Sequence, residues 1–157
     1  MISELYIFMD VFIASILTML IGIERERADK AAGIRTNMIV GGFTCLVVAI
    51  IKPLTNFLQE YFKVAQHSSG MVEIDPIRIV QAIVIGVSFI GAGTIIKSRE
   101  DQTITGLTTA ATLLYSAGIG ICVAIKMYLL AVCLTVFVLV INKTVNYLAK
   151  KYTSVKD

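Results

Sequence analysis

DPIRIVQAIVIGVSFIGAGTII (75–96) and TGLTTAATLLYSAGIGI (105–121) are two apolar runs rich in glycine, alanine and hydroxyl side chains, and one short charged turn separates them. Their reading decides the fold. Asp75 is placed to cap a helix and Pro76 to open it, because the first helical turn has no use for the amide hydrogen that proline lacks. In the second run Thr105, Thr109, Thr112 and Ser116 recur at steps of four, three and four, which gathers four hydroxyls on one helical face. That face is expected to meet protein and not lipid.

Outward from these runs the whole chain stays apolar. It is 57% hydrophobic and 16% charged, with a mean hydropathy of +0.82, which no ordinary soluble domain of this length shows. A hydrocarbon core about 30 Å thick needs roughly 20 apolar residues per helix. Five windows qualify: 5–23, 38–51, 77–96, 104–125 and 127–141. The second is the shortest and borrows 34–37 to span. The expected fold class is therefore all-α: a polytopic transmembrane bundle of about five helices, with 1–157 as a single transmembrane domain. Four spans remain an alternative, since the break at Lys126 is tight.

Lys and Arg accumulate on cytoplasmic loops. With five spans and the N-terminus outside, cytoplasmic segments hold Arg25, Arg27, Lys30, Arg35, Lys97, Arg99, Lys143, Lys150, Lys151 and Lys156, against Lys52, Lys63, Arg78 and Lys126 on the other side. This asymmetry sets the N-terminus out and the C-terminus in. The net charge of +3 is explained by these loops and calls for no nucleic acid. The first window lacks the positive n-region of a secretory signal and is read as helix one. Cys45, Cys122 and Cys133 fall inside windows without paired spacing, so they read as packing residues, not as a disulfide or zinc set.

Helix one carries a small and polar stripe, Asp10, Ala14, Thr18 and Gly22. A carboxylate at the bilayer centre costs roughly 2.5 to 3.5 kcal/mol on insertion scales, so Asp10 reads either as a carboxylate near the outer interface or hydrogen-bonded to a neighbour, or as a protonatable or cation-facing group. Helix one is expected to continue through 24–32, pairing Arg25 with Asp29 and Glu26 with Lys30, and to stop at Gly33. The result is a charged collar of Glu24, Arg25, Glu26, Arg27 and Arg35. Its bases suit an anchor to lipid headgroups, but its interleaved acids suit salt bridges to the turn at Arg99, Glu100 and Asp101. The segment 52–74 holds the one histidine, His67, and a stretch at 56–64 that reads as an amphipathic surface helix. Helices three and four, joined by a short loop, are expected to be antiparallel neighbours packed through Gly86, Gly93, Ala110, Thr109 and Thr112.

Four segments, GIERERADKAAGIRT (22–36), DPIRI (75–79), GVSFIGAGTI (86–95) and GLTTAATLLYSAGIG (106–120), resemble in order and spacing the signature of the MgtC/SapB family of bacterial integral membrane proteins. The resemblance implies a multi-pass inner-membrane protein tied to growth in low magnesium, to stress adaptation and to survival in a host. It also implies action by modulating another membrane machine, such as an ATP synthase. The family's best-studied members add a C-terminal domain similar to ligand-binding ACT domains, and the resemblance here covers the transmembrane part alone. Thr105, Thr108 and Tyr115 stand where some members have Arg, Asn and Cys, so roles assigned to those side chains do not carry over.

No catalytic set, cofactor motif or metal-ligand spacing is visible, and the glycines of Gly91-Ala92-Gly93 lie inside an apolar run and not after a strand. An enzyme is not expected. Magnesium demands octahedral oxygen coordination, whereas the membrane-depth oxygens are those of Asp10, Gln81 and hydroxyls, with Glu24, Glu26 and Asp75 at opposite surfaces. The reading is thus a regulator that binds a membrane-protein partner, with a magnesium or other cation transporter as the alternative. The bilayer is a further partner, and a homo-oligomer is an open option. The residues expected to matter are the collar and a polar and packing face of Asp75, Arg78, Gln81, Gly86, Gly91, Gly93, Thr105, Gly106, Thr108, Thr109, Thr112 and Ser116.

Overall fold

The computed structural model of the protein describes residues 2–64, 75–97 and 103–153. Six helices follow in order: α1 (Ile2–Arg27), α2 (Ile34–Ala49), α3 (Ile51–Val64), α4 (Pro76–Ala92), α5 (Leu107–Ala124) and α6 (Tyr128–Thr153). An antiparallel hairpin joins α4 to α5, with β1 (Ile96–Lys97) paired to β2 (Ile104–Thr105) so that Ile96 faces Thr105. The protein is an all-α membrane helix bundle. Ser3–Arg27, Ile34–Glu60 and Leu107–Ala124 are long and apolar enough to cross a membrane, while Ile77–Ala92 and Tyr128–Thr144 are apolar but shorter.

Each of the five apolar windows lands on one helix, and α2 does recruit 34–37. The surface helix expected at 56–64 is longer than expected, because α3 begins at Ile51 directly after α2. Pro53 has no amide to offer the Ala49 carbonyl, which accounts for the interruption there. His67 and the turn of Arg99, Glu100 and Asp101 lie outside the described residues. Asp75 caps α4 as expected, its Oδ1 accepting the Ile77 amide at 2.9 Å with Pro76 in the first turn. Gly106 opens α5 from the left-handed region at φ +88°, and any Cβ there would also collide with the Thr94 carbonyl.

The three inner helices α1, α2 and α5 meet through glycines. Gly22 lies against the Ile34 backbone, Gly41 against Thr18, and Gly120 against the Gly41 carbonyl and Thr44. The Asp10, Ala14, Thr18, Gly22 stripe is buried along its length. Among the described side chains of α6 only the face of Ala131, Thr135 and Val138 is buried, and Leu129, Val136 and Phe137 on its other faces are exposed. Cys45 is buried as a packing residue, but Cys133 is exposed.

Several expectations are corrected. Helix one ends at Arg27, not near Ala32, because α2 must turn back at once to bring Ile34 onto Gly22. Asp29, at φ 51°, makes that turn, so the helical pairs Arg25–Asp29 and Glu26–Lys30 do not form. Gly33 is the N-cap residue of α2 and not a stop for α1. Helices α4 and α5 are indeed neighbours, but the close contact is Gly91 on Ala110, where a Cβ on Gly91 would lie 3.1 Å from that of Ala110. Val87 joins Leu113 and Ala117 in the same cluster. Gly86 sits about 140° around the helix from Gly91, and a Cβ on it would meet nothing within 4 Å. Gly93 is exposed and approaches only carbonyls of its own last turn, and Gln81 is exposed. Thr105 is not on the helical face either, since it lies exposed in β2.

Candidate functional site

α1 and α6 run parallel and are pinned to each other by a polar clamp at each end. At one end the buried Asp10 carboxylate accepts the Tyr128 hydroxyl at 2.7 Å on Oδ1 and pairs with the Lys126 ammonium through Oδ2. Lys126 makes the tight α5–α6 connection in the left-handed region, at φ 66°. Its pKa is raised, chiefly by the hydrogen bond to Asp10, with partial burial opposing and Tyr128 adding. At the other end Glu24 accepts from Arg25 through Nε at 2.8 Å and Nη2 at 3.0 Å, and from Asn142 Nδ2 at 2.9 Å. Asp10 and Glu24 are fourteen residues apart, as are Tyr128 and Asn142. At 1.5 Å per residue this is about 21 Å, less than the roughly 30 Å of a hydrocarbon core.

A third polar link joins α2 to α5. Ser116 donates to Asn37 Oδ1 at 2.7 Å, while Asn37 Nδ2 donates to the Ala32 and Gly33 carbonyls at 3.1 and 2.9 Å. One amide thus fixes the α1–α2 turn and α5 together. Three of the four hydroxyls expected on one face, Thr109, Thr112 and Ser116, are buried. Thr112 returns its hydroxyl to the Thr108 carbonyl at 2.7 Å, and the Thr108 side chain itself is exposed.

The collar divides in two. Glu24 and Arg25 turn inward as a pair, with Arg25 2% exposed. Glu26 accepts the Ile34 amide at 3.0 Å and so occupies the N-terminus of α2, while Arg27, Lys30 and Arg35 are exposed. Asp75 and Arg78 stay together at the start of α4, 3.7 Å apart. Sequence reasoning passed over Asn37, Lys126, Tyr128 and Asn142 as partners. Their one signal was polarity beside an apolar run, which does not say what a side chain will meet. Among the described residues every buried side-chain nitrogen and oxygen has a hydrogen-bond partner, and no three His, Cys, Asp or Glu side chains gather as for a metal ion.

The family model for MgtC matches residues 11–151, which takes in all four signature segments together with Glu24, Asn37, Ser116 and Asn142. The chain belongs to the MgtC family. Family relatives include MgtC of Salmonella typhimurium, 36% identical over 129 residues that cover 82% of this chain and 48% of the relative. YhiD of Escherichia coli K12, by name a proposed magnesium transporter, is 35% identical over 136 residues, 87% of this chain and 59% of its own. SapB of Bacillus subtilis is 29% identical over 139 residues, 88% and 56% of the two chains. The chain thus spans about half the length of the curated MgtC-family relatives it matches. No solved structure matches it.

Proposed function

We propose that this chain is a multi-pass protein of the bacterial inner membrane that serves adaptation to magnesium limitation and related stress by binding and modulating another membrane protein. One observation carries the reading. Among the described residues the carboxylates and amides inside the bundle already have side-chain partners: Asp10 has Lys126 and Tyr128, Glu24 has Arg25 and Asn142, and Asn37 has Ser116. An ion pathway for magnesium needs oxygen ligands left open to the ion and its waters, whereas these links hold α1, α2, α5 and α6 as one body. Such a body can dock and bias a partner without any catalytic residue. The exposed cations Arg27, Lys30 and Arg35 are the collar groups open to an acidic surface of that partner, for which a transport machine such as an ATP synthase is the candidate.

Magnesium transport is the second reading, favoured by the name given to YhiD. Reconstitution separates the two: the purified protein in liposomes loaded with a magnesium-sensitive dye is expected to give no flux above protein-free vesicles. A flux that saturates with magnesium would replace the regulator with a transporter. In cells, the double variant Arg27→Glu, Arg35→Glu is expected to lose both complementation of a deletion strain in low magnesium and cross-linking to the partner, at unchanged membrane abundance.

A further inference from the structure

Between α2 and α4 the helices leave an apolar groove of about 550 Å³. Ile39, Phe43 and Val47 line it from α2, Ile79, Gly86 and Ile90 from α4, and the one charged side chain on its wall is Arg78, at the start of α4. From Arg78 to Ile90 it follows α4 for twelve residues, about 18 Å at 1.5 Å per residue. That is close to the roughly 15 Å depth of one leaflet in a 30 Å hydrocarbon core. A single extended hydrocarbon chain matches that length.

The charges at the mouth say which amphiphile. The Arg78 guanidinium is 84% exposed, and its Nε lies 3.7 Å from Asp75 Oδ2, too far for a hydrogen bond. Asp75 uses Oδ1 for the Ile77 amide, and among the described residues Oδ2 meets only the Arg78 cation, at ion-pair distance and without a hydrogen bond. A cation and an anion thus stand side by side at the polar end of an apolar slot. We propose that the groove seats one acyl chain of a phospholipid whose headgroup carries a phosphate and a primary amine, as phosphatidylethanolamine does. The phosphate accepts the fork of Arg78, and the ammonium donates to Asp75 Oδ2. Phosphatidylglycerol brings no cation to Asp75, and the quaternary ammonium of phosphatidylcholine has no hydrogen to donate.

Native mass spectrometry of the full chain in detergent, titrated with the three lipids at matched acyl length, tests this independently of the regulatory reading. One bound phosphatidylethanolamine is expected, held roughly tenfold more tightly than either other lipid, as the loss of one charge-assisted hydrogen bond implies. Asp75→Asn keeps a side chain that caps helices as well and is expected to erase the preference over phosphatidylcholine, whereas Arg78→Gln weakens all three. Gly86→Leu fills the slot from a position where an added Cβ meets nothing within 4 Å, so it is expected to abolish the single occupancy with the melting temperature unchanged. Equal retention of the three lipids, or of phosphatidylethanolamine by Gly86→Leu and the native chain, would mean ordinary boundary lipid only and overturn the proposal. A change of oligomeric state in Gly86→Leu without loss of lipid would overturn it too, and make the groove a protein interface.

Discussion

Glu24 receives three hydrogen bonds, two from the Arg25 guanidinium and one from the Asn142 amide, so removing its charge strands a nearly fully buried guanidinium. Glu24→Gln is accordingly expected to lower stability by about 2 kcal/mol, read as a lower melting temperature in detergent. Asn142→Ala is expected to cost less, and the double variant less than the sum, because the two side chains are joined to each other by one hydrogen bond. Asn37→Ala leaves Ser116 and two carbonyls without their donor or acceptor and is expected to cost about 1 to 3 kcal/mol. At the other clamp the raised pKa of Lys126 has a definite sign. Its contribution is complete below the ordinary lysine value of about 10.4 and is lost as pH rises through the higher folded value. A melting series from pH 8 to 11.5 is expected to show a shallow alkaline loss that Lys126→Met reduces; it is shallow because the lysine is 54% exposed, and the Tyr128 hydroxyl on the same carboxylate keeps the rest.

Among the elements, the glycines divide by what faces them. A side chain at Gly120 would strike the Gly41 carbonyl and Thr44, so Gly120→Val is expected to cost about 1 to 3 kcal/mol or more by overpacking. Gly93→Leu, at a glycine the sequence placed in the contact with α5, is expected to leave the stability of the purified protein within about 0.5 kcal/mol, as an exposed position does. That contrast measures how much was legible. Helix number and type, the Asp75 cap, the α1 stripe and the buried hydroxyls from Thr109 to Ser116 followed from hydropathy and helical period. Period alone does not say which side of α4 meets α5: Gly86 and Gly93 share a spacing of seven, yet the contact runs through Val87 and Gly91. The same holds for the collar. The helical spacing of Arg25 and Asp29 predicted a longer α1, but the close approach of Ile34 to Gly22, a tertiary contact, ended it at Arg27.

At the scale of the whole molecule the two clamps define two ends, and the charges then orient them. Glu24 and Asn142 mark one end, near which lie Arg25, Arg27, Lys30 and Arg35, with the hairpin's Lys97 and Lys143 of α6. Asp10 and Lys126 mark the other, where α2 ends and α4 begins, so that Lys52 and Arg78 belong to it. Positive charge favours the cytoplasm, so the collar is expected inside and the Asp10 clamp outside. Lys30 and Lys52 lie beyond opposite ends of α2, and both are exposed, so neither substitution disturbs a clamp. In intact cells of a strain expressing cysteine-free protein, Lys52→Cys is expected to react with a membrane-impermeant maleimide, and Lys30→Cys only after permeabilisation. The reverse pattern would invert the bundle. It would turn Arg27, Lys30 and Arg35 away from the cytoplasm and remove any cytoplasmic surface as their partner. Labelling of both sites in intact cells would mean that α2 does not cross the membrane, and the five-span arrangement would fall with it.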